Sequence, residues 1–203
     1  MKTREDVMQW ARDNPAALTA LEQRKLAVAA LIERDGKVFL LCRGDSALDE
    51  VGCLEGVGGR LESLEYDLET GLERELREET CDRSTITHPA GEVVTCSYKI
   101  RSFLGCDLLS FLNNDGACHE WVVVTFLCGL SSGDPVVLEK GTHSAWGWFD
   151  INQFAGWRPG TKRSVELEAY TLQTSDLQRE TKEVGLSPWV PVALKHYLDN
   201  GPG

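Results

Sequence analysis

Five glutamates lie close together in the first half of the chain. Glu62 and Glu65 follow a pair of glycines, and three more occur in the sequence Arg-Glu-Leu-Arg-Glu-Glu at 74–79. Carboxylates this dense repel one another, and the repulsion grows in a cleft where water is scarce. A hard divalent cation that prefers oxygen ligands would reverse the sign of that energy, and Mg²⁺ is the natural candidate. The pattern therefore indicates metal chemistry.

The three downstream glutamates share one face of a predicted helix. At ~100° of rotation per residue, Glu75 and Glu79 lie one turn apart and Glu78 falls between them around the axis. A leucine recurs every fourth residue close to this face, at Leu68, Leu72 and Leu76. The glutamates should therefore lie at the margin of the core. Taken alone, the same sequence is also typical of a solvated helix face with internal ion pairs.

The glycines upstream favour a site over a solvated face. Gly58-Gly59 can bring backbone carbonyls close to a ligand where a side chain would obstruct. The turn and the helix then act together.

This arrangement resembles the Nudix box, in which a glycine, a glutamate and an Arg-Glu-aliphatic-x-Glu-Glu segment recur at fixed spacing. Gly59 and Glu65 have the family separation, and 74–79 match position by position. Eight residues rather than seven lie between Glu65 and Arg74, which is a one-residue insertion. After Glu79 the family has a glycine and an aliphatic residue, whereas this chain continues with Thr80, Cys81 and Asp82.

The position of the insertion decides whether the motif keeps its geometry. Inside the helix it would rotate Glu65 by roughly 100° relative to Arg74, whereas a loop before the helix would absorb it. Asp67 is a suitable N-cap, which predicts a helix over about 68–80 and places the extra residue in the loop.

The resemblance implies hydrolysis that depends on Mg²⁺ or Mn²⁺. The bond broken would be a diphosphate bond in a nucleoside diphosphate linked to another moiety, or in a related small pyrophosphate. The implied catalytic and metal-binding residues are Glu75, Glu78 and Glu79, with the Gly59 carbonyl as a further ligand. The residues with structural roles in the motif are Arg74, Glu65 and Gly58, with Arg74 orienting Glu65 or neighbouring acids.

The substrate clamp and the general base are less directly marked. Arg43 follows a predicted strand near the glycines and is a candidate phosphate clamp, with an ordinary surface arginine as the alternative. Many relatives carry a catalytic glutamate six residues before a tryptophan that opens the final strand. Counting back from Trp148 reaches Thr142, which cannot serve as a base. Glu139 and His143 are the nearby candidates, beside the helix glutamates themselves. For His143 the alternative is a loop histidine that hydrogen-bonds to the backbone.

The insertion and the missing late glutamate also fit a second function. The chain would then be a non-catalytic Nudix-fold domain that senses a ligand or binds a partner.

The order of elements, with strands interleaved among helices, predicts an α/β or α+β fold. The predicted helices cover 3–12, 15–24 and a terminal stretch from Ser187-Pro188 to about 200, with a helical turn at 150–154. The predicted strands cover 26–32, 38–41, 92–103, 120–128 and, as the last, 146–149, with turns at Asp35-Gly36 and 113–116. The resemblance implies a mixed sheet sandwiched between helices, with extra N- and C-terminal helices.

One domain is the expectation for 203 residues. It would comprise an N-terminal helical segment (1–24), a Nudix core (25–155) and a C-terminal loop and helix (156–203). The two ends would cap the core or form a homodimer contact.

Charge and cysteine content bound the partners and the compartment. A net charge of −11 disfavours nucleic-acid polymers and anionic membranes, so a small nucleotide or other diphosphate is the expected partner. The seven cysteines show no paired spacing and are interpreted as buried free thiols, as at Cys42 and Cys128. With no signal-peptide pattern and no membrane span in the sequence, the cytoplasm is the expected location.

Overall fold

The computed structural model describes residues 1–63, 65, 67–80, 96–133, 135, 137, 142–154, 156–157, 160–170 and 177–200. The helices are α1 (Arg4–Trp10), α2 (Pro15–Glu22), α3 (Leu68–Glu79) and α4 (Trp189–Asn200). The strands are β1 (Leu26–Arg34), β2 (Lys37–Arg43), β3 (Cys53–Glu55), β4 (Val57–Arg60), β5 (Ser97–Leu112), β6 (Cys118–Ser132), β7 (His143–Asp150), β8 (Arg163–Tyr170) and β9 (Leu177–Leu186). Short 3-10 turns cover Ala11–Asp13 and Ile151–Phe154.

The described strands form one mixed sheet in the order β3-β9-β8-β7-β2-β1-β6-β5. β1 lies inside the sheet, between β2 and β6. One edge of β1 pairs in parallel with β6, and the other pairs antiparallel with β4 and then with β2. The strand β4, which carries Gly58 and Gly59, therefore pairs directly with the buried strand β1.

Helices cover both faces of this sheet, which confirms the predicted sandwich. Alternate residues of β1 point to opposite faces, as the period of a strand requires. Val28 belongs to the apolar cluster that contains residues of α1, α2 and α3, whereas Leu31 belongs to the cluster that contains α4. The acidic helix α3 and the C-terminal helix α4 therefore lie on opposite sides of the sheet.

Local turn and cap chemistry explains the N-terminal elements. Asp35 and Gly36 both have positive φ, of 54° and 75°, as a two-residue turn between β1 and β2 demands. Asn14 caps α2 by accepting a hydrogen bond from the Ala17 N–H at 3.2 Å. The predicted helices and hairpin of this region are confirmed.

The C-terminal third contains strands that the sequence prediction missed. The interpretation of 146–149 as the last strand is wrong, because β8 and β9 follow and pair antiparallel from Arg163–Val184 to Tyr170–Leu177. β9 also pairs in parallel with β3, where Gly185 lies opposite Cys53. β5 continues to Leu112, past the predicted end at 103, while 92–95 lie outside the described residues.

The cysteines differ in part from the prediction. Cys42 and Cys128 are buried free thiols, as expected, and Cys53, Cys106 and Cys118 are free as well. Cys96 is disulfide-bonded, so the prediction of free thiols throughout is wrong. Among the described residues, no helix is both long enough and apolar enough to cross a membrane.

Candidate functional site

The predicted start of the acidic helix is confirmed. The Asp67 side chain caps the helix, accepting from the Glu69 N–H at 3.4 Å and from the Thr70 hydroxyl at 2.9 Å. The helix therefore begins at Leu68, and the 74–79 segment lies within one unbroken helix.

Arg74 joins the loop to the helix despite the insertion. Its Nε donates to Glu65 Oε1 at 2.8 Å, and its Nη1 lies 2.8 Å from Glu75 Oε1 and 2.8 Å from Glu78 Oε2. Its Nη2 donates to the Arg60 carbonyl at 3.0 Å. The hydrogen bond from Arg74 lowers the pKa of Glu65, which keeps that carboxylate charged. Glu65 thus remains attached to the helix that follows it.

The N-terminal segment braces the same loop. Arg4 Nη2 donates to the Glu62 carbonyl at 2.9 Å, and the Leu68 N–H donates to the Lys2 carbonyl at 2.9 Å. Thr3 and Asp67 form an isolated bridge between the two segments. Residues before the matched motif therefore fix both ends of the lengthened loop.

The acidic face of α3 divides into an inner and an outer part. Glu75 and Glu79 are each only 7% exposed, whereas the Glu78 side chain is 49% exposed. Glu79 Oε2 accepts from the Gly58 N–H at 3.1 Å. A Cβ on Gly59 would lie 2.6 Å from Glu75 Oε1, so only glycine lets this carboxylate rest against the strand. Two carboxylates are therefore packed against the backbone of β4.

The helix ends in an unusual way. Thr80 stands where the motif loses its usual sequence, and its hydroxyl donates to the Leu76 carbonyl at 2.6 Å while accepting from the Tyr98 hydroxyl at 2.7 Å. Thr80 is fully buried. The side chain thus satisfies a helix-end carbonyl and ties α3 to β5, while Cys81 and Asp82 lie outside the described residues.

A second acidic group, Glu55 with Asp49, surrounds Arg43 at the end of β2. Arg43 Nη1 lies 2.6 Å from Glu55 Oε1, its Nη2 lies 2.5 Å from Asp49 Oδ1, and its Nε donates to the Asp49 carbonyl at 2.8 Å. Burial of the guanidinium opposes its charge, but Glu55 and Asp49 outweigh that cost and raise the pKa of Arg43. Arg43 is therefore a half-buried, doubly paired cation rather than a simple surface arginine.

His143 lies at the start of β7, opposite Arg43 in the sheet, and not in a loop. Its Nε2 is 3.0 Å from Glu55 Oε1, and its side chain is only 1% exposed. It contacts a carboxylate rather than the backbone carbonyl that the sequence alternative assumed. Glu139, the other base candidate, lies outside the described residues.

A small cavity of about 170 Å³ lies between this second acidic group and the glycine strand β4. Its polar lining consists of Arg43, Asp49, Glu55, Gly58, Gly59 and Arg60. Its apolar lining consists of Ala27, Val28, Ala29, Phe111, Trp121, Val123 and Trp189. We call this space the cleft. The aromatic wall includes Trp121, which is half-buried, whereas Trp146 and Trp157 are buried in the core.

The sequence reasoning missed Glu55. It stands alone between Leu54 and Gly56, without the repeated spacing that marks the helix glutamates. A possible signal was its place just before the glycine pair, at the end of an apolar stretch. Only the pairing of β2 with β3 and β7 brings Arg43 and His143 to it.

The donor chemistry suits a hard cation. The groups available around β4 and α3 are carboxylate oxygens and a backbone carbonyl, the ligands that Mg²⁺ and Mn²⁺ prefer. Within the part of the chain that the structure describes, no three His, Cys, Asp or Glu side chains already converge as a metal cluster. Glu75 and Glu79 are buried against Gly59 and Gly58, so the oxygen donors of this region fit the ion in kind.

The protein-family model described as the NUDIX domain matches residues 23–169 of the sequence. The chain belongs to the Nudix family. The match extends past residue 155, the predicted end of the core. Most of β8 therefore lies within the matched region.

Solved structures show the same fold. A MutT Nudix hydrolase from Burkholderia pseudomallei is 22% identical, with 85% of this chain and 96% of that chain covered and a TM-score of 0.51. A Nudix hydrolase from Nitrosomonas europaea is 20% identical, with 87% and 89% covered and a TM-score of 0.53. A UDP-X diphosphatase is 16% identical, with 97% and 72% covered and a TM-score of 0.50. At these identities the likeness establishes the Nudix fold alone. No curated protein matches the sequence significantly.

Proposed function

We propose that this Nudix protein hydrolyses a diphosphate bond in a small molecule and requires Mg²⁺ or Mn²⁺ to do so. The observation that carries the proposal is the burial of Glu75 and Glu79 against the glycine strand, at 7% exposure each. Buried carboxylates are costly unless they are paired or coordinate metal. A nucleoside diphosphate linked to another moiety is the substrate class that we infer.

Glu75 and Glu79 would hold the metal, with the Gly59 carbonyl as a further ligand and the more exposed Glu78 at its outer side. When bound, such an ion neutralises phosphate charge and lowers the pKa of bound water. Arg74 holds Glu65, Glu75 and Glu78 in one network, which fixes the direction in which these carboxylates point. Gly58 supports Glu79 through its N–H.

Arg43 would contact the substrate phosphate from the opposite side. A guanidinium has five N–H donors, and among the described residues three of those of Arg43 are directed at Glu55 and Asp49. One N–H on each terminal nitrogen is then available, and Arg43 lines the cleft. An arginine held in this way offers a fixed fork to a phosphate.

A substrate screen tests the proposal. The protein is incubated with Mg²⁺ or Mn²⁺ and a panel of dinucleotides, nucleotide sugars and nucleoside triphosphates, and the products are separated by chromatography. We expect cleavage of at least one compound and a loss of at least about 100-fold in kcat for Glu79→Gln, since metal binding supplies several kcal/mol of transition-state stabilisation.

Glu73→Gln is the matched control, because Glu73 lies on the same helix but is exposed and, among the described residues, pairs only with Arg77 at 3.3 Å. Its activity should stay within about twofold of the wild type. Inactivity of the wild type across the panel, with both metals, would contradict the proposal.

The second candidate is a non-catalytic Nudix-fold domain that binds a ligand or partner. The lack of a ready-made cluster of three metal-binding side chains among the described residues favours it. It predicts nucleotide binding in calorimetry that is unchanged by chelation of divalent cations, with no turnover. A metal-dependent affinity would argue against it.

We also propose a cytoplasmic location, a small-molecule partner and a homodimer for this protein. The free thiols of Cys42, Cys53, Cys106, Cys118 and Cys128 support a cytoplasmic location, although Cys96 is oxidised. The net charge of −11 supports a small-molecule partner over a nucleic acid or an anionic membrane. A homodimer remains a proposal that sedimentation would test.

A further inference from the structure

The carboxylate of Glu55 is hydrogen-bonded through one oxygen. Oε1 accepts from Arg43 Nη1 at 2.6 Å and lies 3.0 Å from His143 Nε2. Among the described residues, no hydrogen bond reaches Oε2. Glu55 is 8% exposed and lines the cleft. Oε2 is therefore the oxygen that this buried residue offers to a molecule in the cleft.

His143 is placed to orient Glu55 rather than to contact the substrate itself. Its side chain is only 1% exposed, and an ionised carboxylate can only accept hydrogen bonds. The contact with Glu55 therefore requires a proton on Nε2. His143 Nδ1 is buried without a hydrogen-bond partner in the described part of the chain, which fits the neutral ring with its proton on Nε2. Arg43 and His143 thus hold the same oxygen from two strands.

Glu55 shares its contacting arginine with a second carboxylate. Arg43 is shared between Glu55 and Asp49, so this group carries one more negative charge than positive charge. The two neighbouring thiols add none, because burial raises the pKa of Cys42 and raises that of Cys53 to about 12. Glu50, Glu79, Glu180 and Lys182 are further charged groups that act on Cys42, Arg43 or Cys53. In direct contact, Glu55 and Asp49 therefore share the one arginine between them.

The cleft joins Glu55 to the glycine strand against which the acidic helix packs. Gly58 and Gly59 line the same cavity as Glu55, and Glu79 and Glu75 pack against those two glycines from the other side. Arg43 also feels the charge of Glu79. A molecule in the cleft would therefore contact Glu55 while its phosphates lay next to the glycine strand.

We propose that Glu55 is the general base of this protein and that His143 and Arg43 are positioning residues. The inference rests on the proposed hydrolase function. An O–H bond of the attacking water breaks and its proton passes to Glu55 Oε2. The water oxygen bonds to phosphorus, the bridging P–O bond breaks, and the electron pair leaves with the departing phosphate oxygen. Glu55 fills the role that the sequence sought at 139 and 143.

Glu55→Gln tests the base. Glutamine has the same shape, and its carbonyl still accepts from Arg43 and His143, so the fold should be kept. We expect kcat to fall by about 100-fold or more with KM within about threefold, and the acid limb of the kcat pH profile to disappear. Asp49→Asn removes the other carboxylate on Arg43 and should lower kcat by less than about tenfold, with the acid limb kept. A kcat of Glu55→Gln within threefold of the wild type, or a rise in KM alone, overturns the proposal.

Two variants and a spectroscopic measurement test His143. His143→Gln can still donate from its amide to Glu55 and should keep kcat within about fivefold, whereas His143→Leu should lose at least about tenfold with little change in KM. Nitrogen-15 NMR should show the His143 proton on Nε2, and a proton on Nδ1 overturns the positioning role even if no substrate is found. A wild type that turns over no compound fails the proposed function, whereas an active wild type with an equally active Glu55→Gln fails this inference.

Discussion

The two acidic groups on either side of the cleft are compensated in different ways. Glu55 and Asp49 share the internal cation Arg43, and His143 adds a neutral donor. Glu75 and Glu79 are about as buried as Glu55; Glu75 contacts Arg74, which also serves Glu65 and Glu78, and Glu79 accepts from the Gly58 N–H. In the first group two carboxylates share one arginine, whereas in the second three glutamates share one. We infer from this difference that a metal ion would bind beside α3 and that Glu55 would be the base.

Gly59→Ala should have the largest effect, a loss of metal affinity at the glutamates of α3. The new Cβ would lie 2.6 Å from Glu75 Oε1, so the carboxylate must move away from the strand. We expect the affinity for Mn²⁺ to fall by about 10-fold to 100-fold, as when ligand orientation is lost in metal sites. Isothermal titration calorimetry measures this directly.

Gly147→Ala is the control, since its Cβ would meet the Phe149 ring at 3.2 Å and the Glu166 carbonyl at 3.6 Å rather than a carboxylate of either acidic group. Equal Mn²⁺ affinities for the wild type and Gly59→Ala would show that Glu75 does not hold the metal.

Removing one negative charge from each acidic group, in the absence of metal, should change the free energy of unfolding in opposite directions. In buffer with a chelator, Glu75→Gln should raise the free energy of unfolding by about 0.5 kcal/mol, because it relieves the repulsion between Glu75 and its helix neighbours Glu78 and Glu79. Asp49→Asn should lower it by about 1 kcal/mol, because it removes a partner of Arg43. Urea unfolding followed by circular dichroism gives both values. Two changes of the same sign would refute the distinction between the groups.

Glu65→Gln, in the loop before α3, should have the smallest effect, which is a change in the pH dependence of stability. Arg74 lowers the pKa of Glu65, so the pair stabilises the fold at pH values above the ordinary pKa of a glutamate. This contribution is lost as the pH falls through the lowered pKa of the folded state. Glu65→Gln should therefore cost about 1 kcal/mol at pH 7, and the difference from the wild type should shrink in acid. A constant difference in urea unfolding between pH 7 and pH 3 would contradict this reading.

The sequence predicted those parts of the fold that depend on local chemistry. Asp67 as a cap placed the start of α3, and Asp35-Gly36 placed the first hairpin, because both signals act over a few residues. Membership of the Nudix family followed from the spacing of the glycine and the glutamates. These predictions required no knowledge of long-range contacts.

The missed features depend on residues far apart in the chain. β8 alternates charged and apolar residues, and its strand character comes from pairing with β9 rather than from a strong apolar run. Glu55 looked ordinary because its partners arrive from two other strands. Burial of a single polar residue is a tertiary effect, which local pattern does not encode.

The short strand β3 has a consequence for the order of folding. Its three residues end with Glu55 and are held by β2 on one side and by β9, near Gly185, on the other. Pairings between distant residues form late because the loop must close first. During synthesis, α3 and its glutamates leave the ribosome long before β9 does. We therefore expect the carboxylates of α3 to be in place first, and Glu55 to gain its final support only when the C-terminal strand docks.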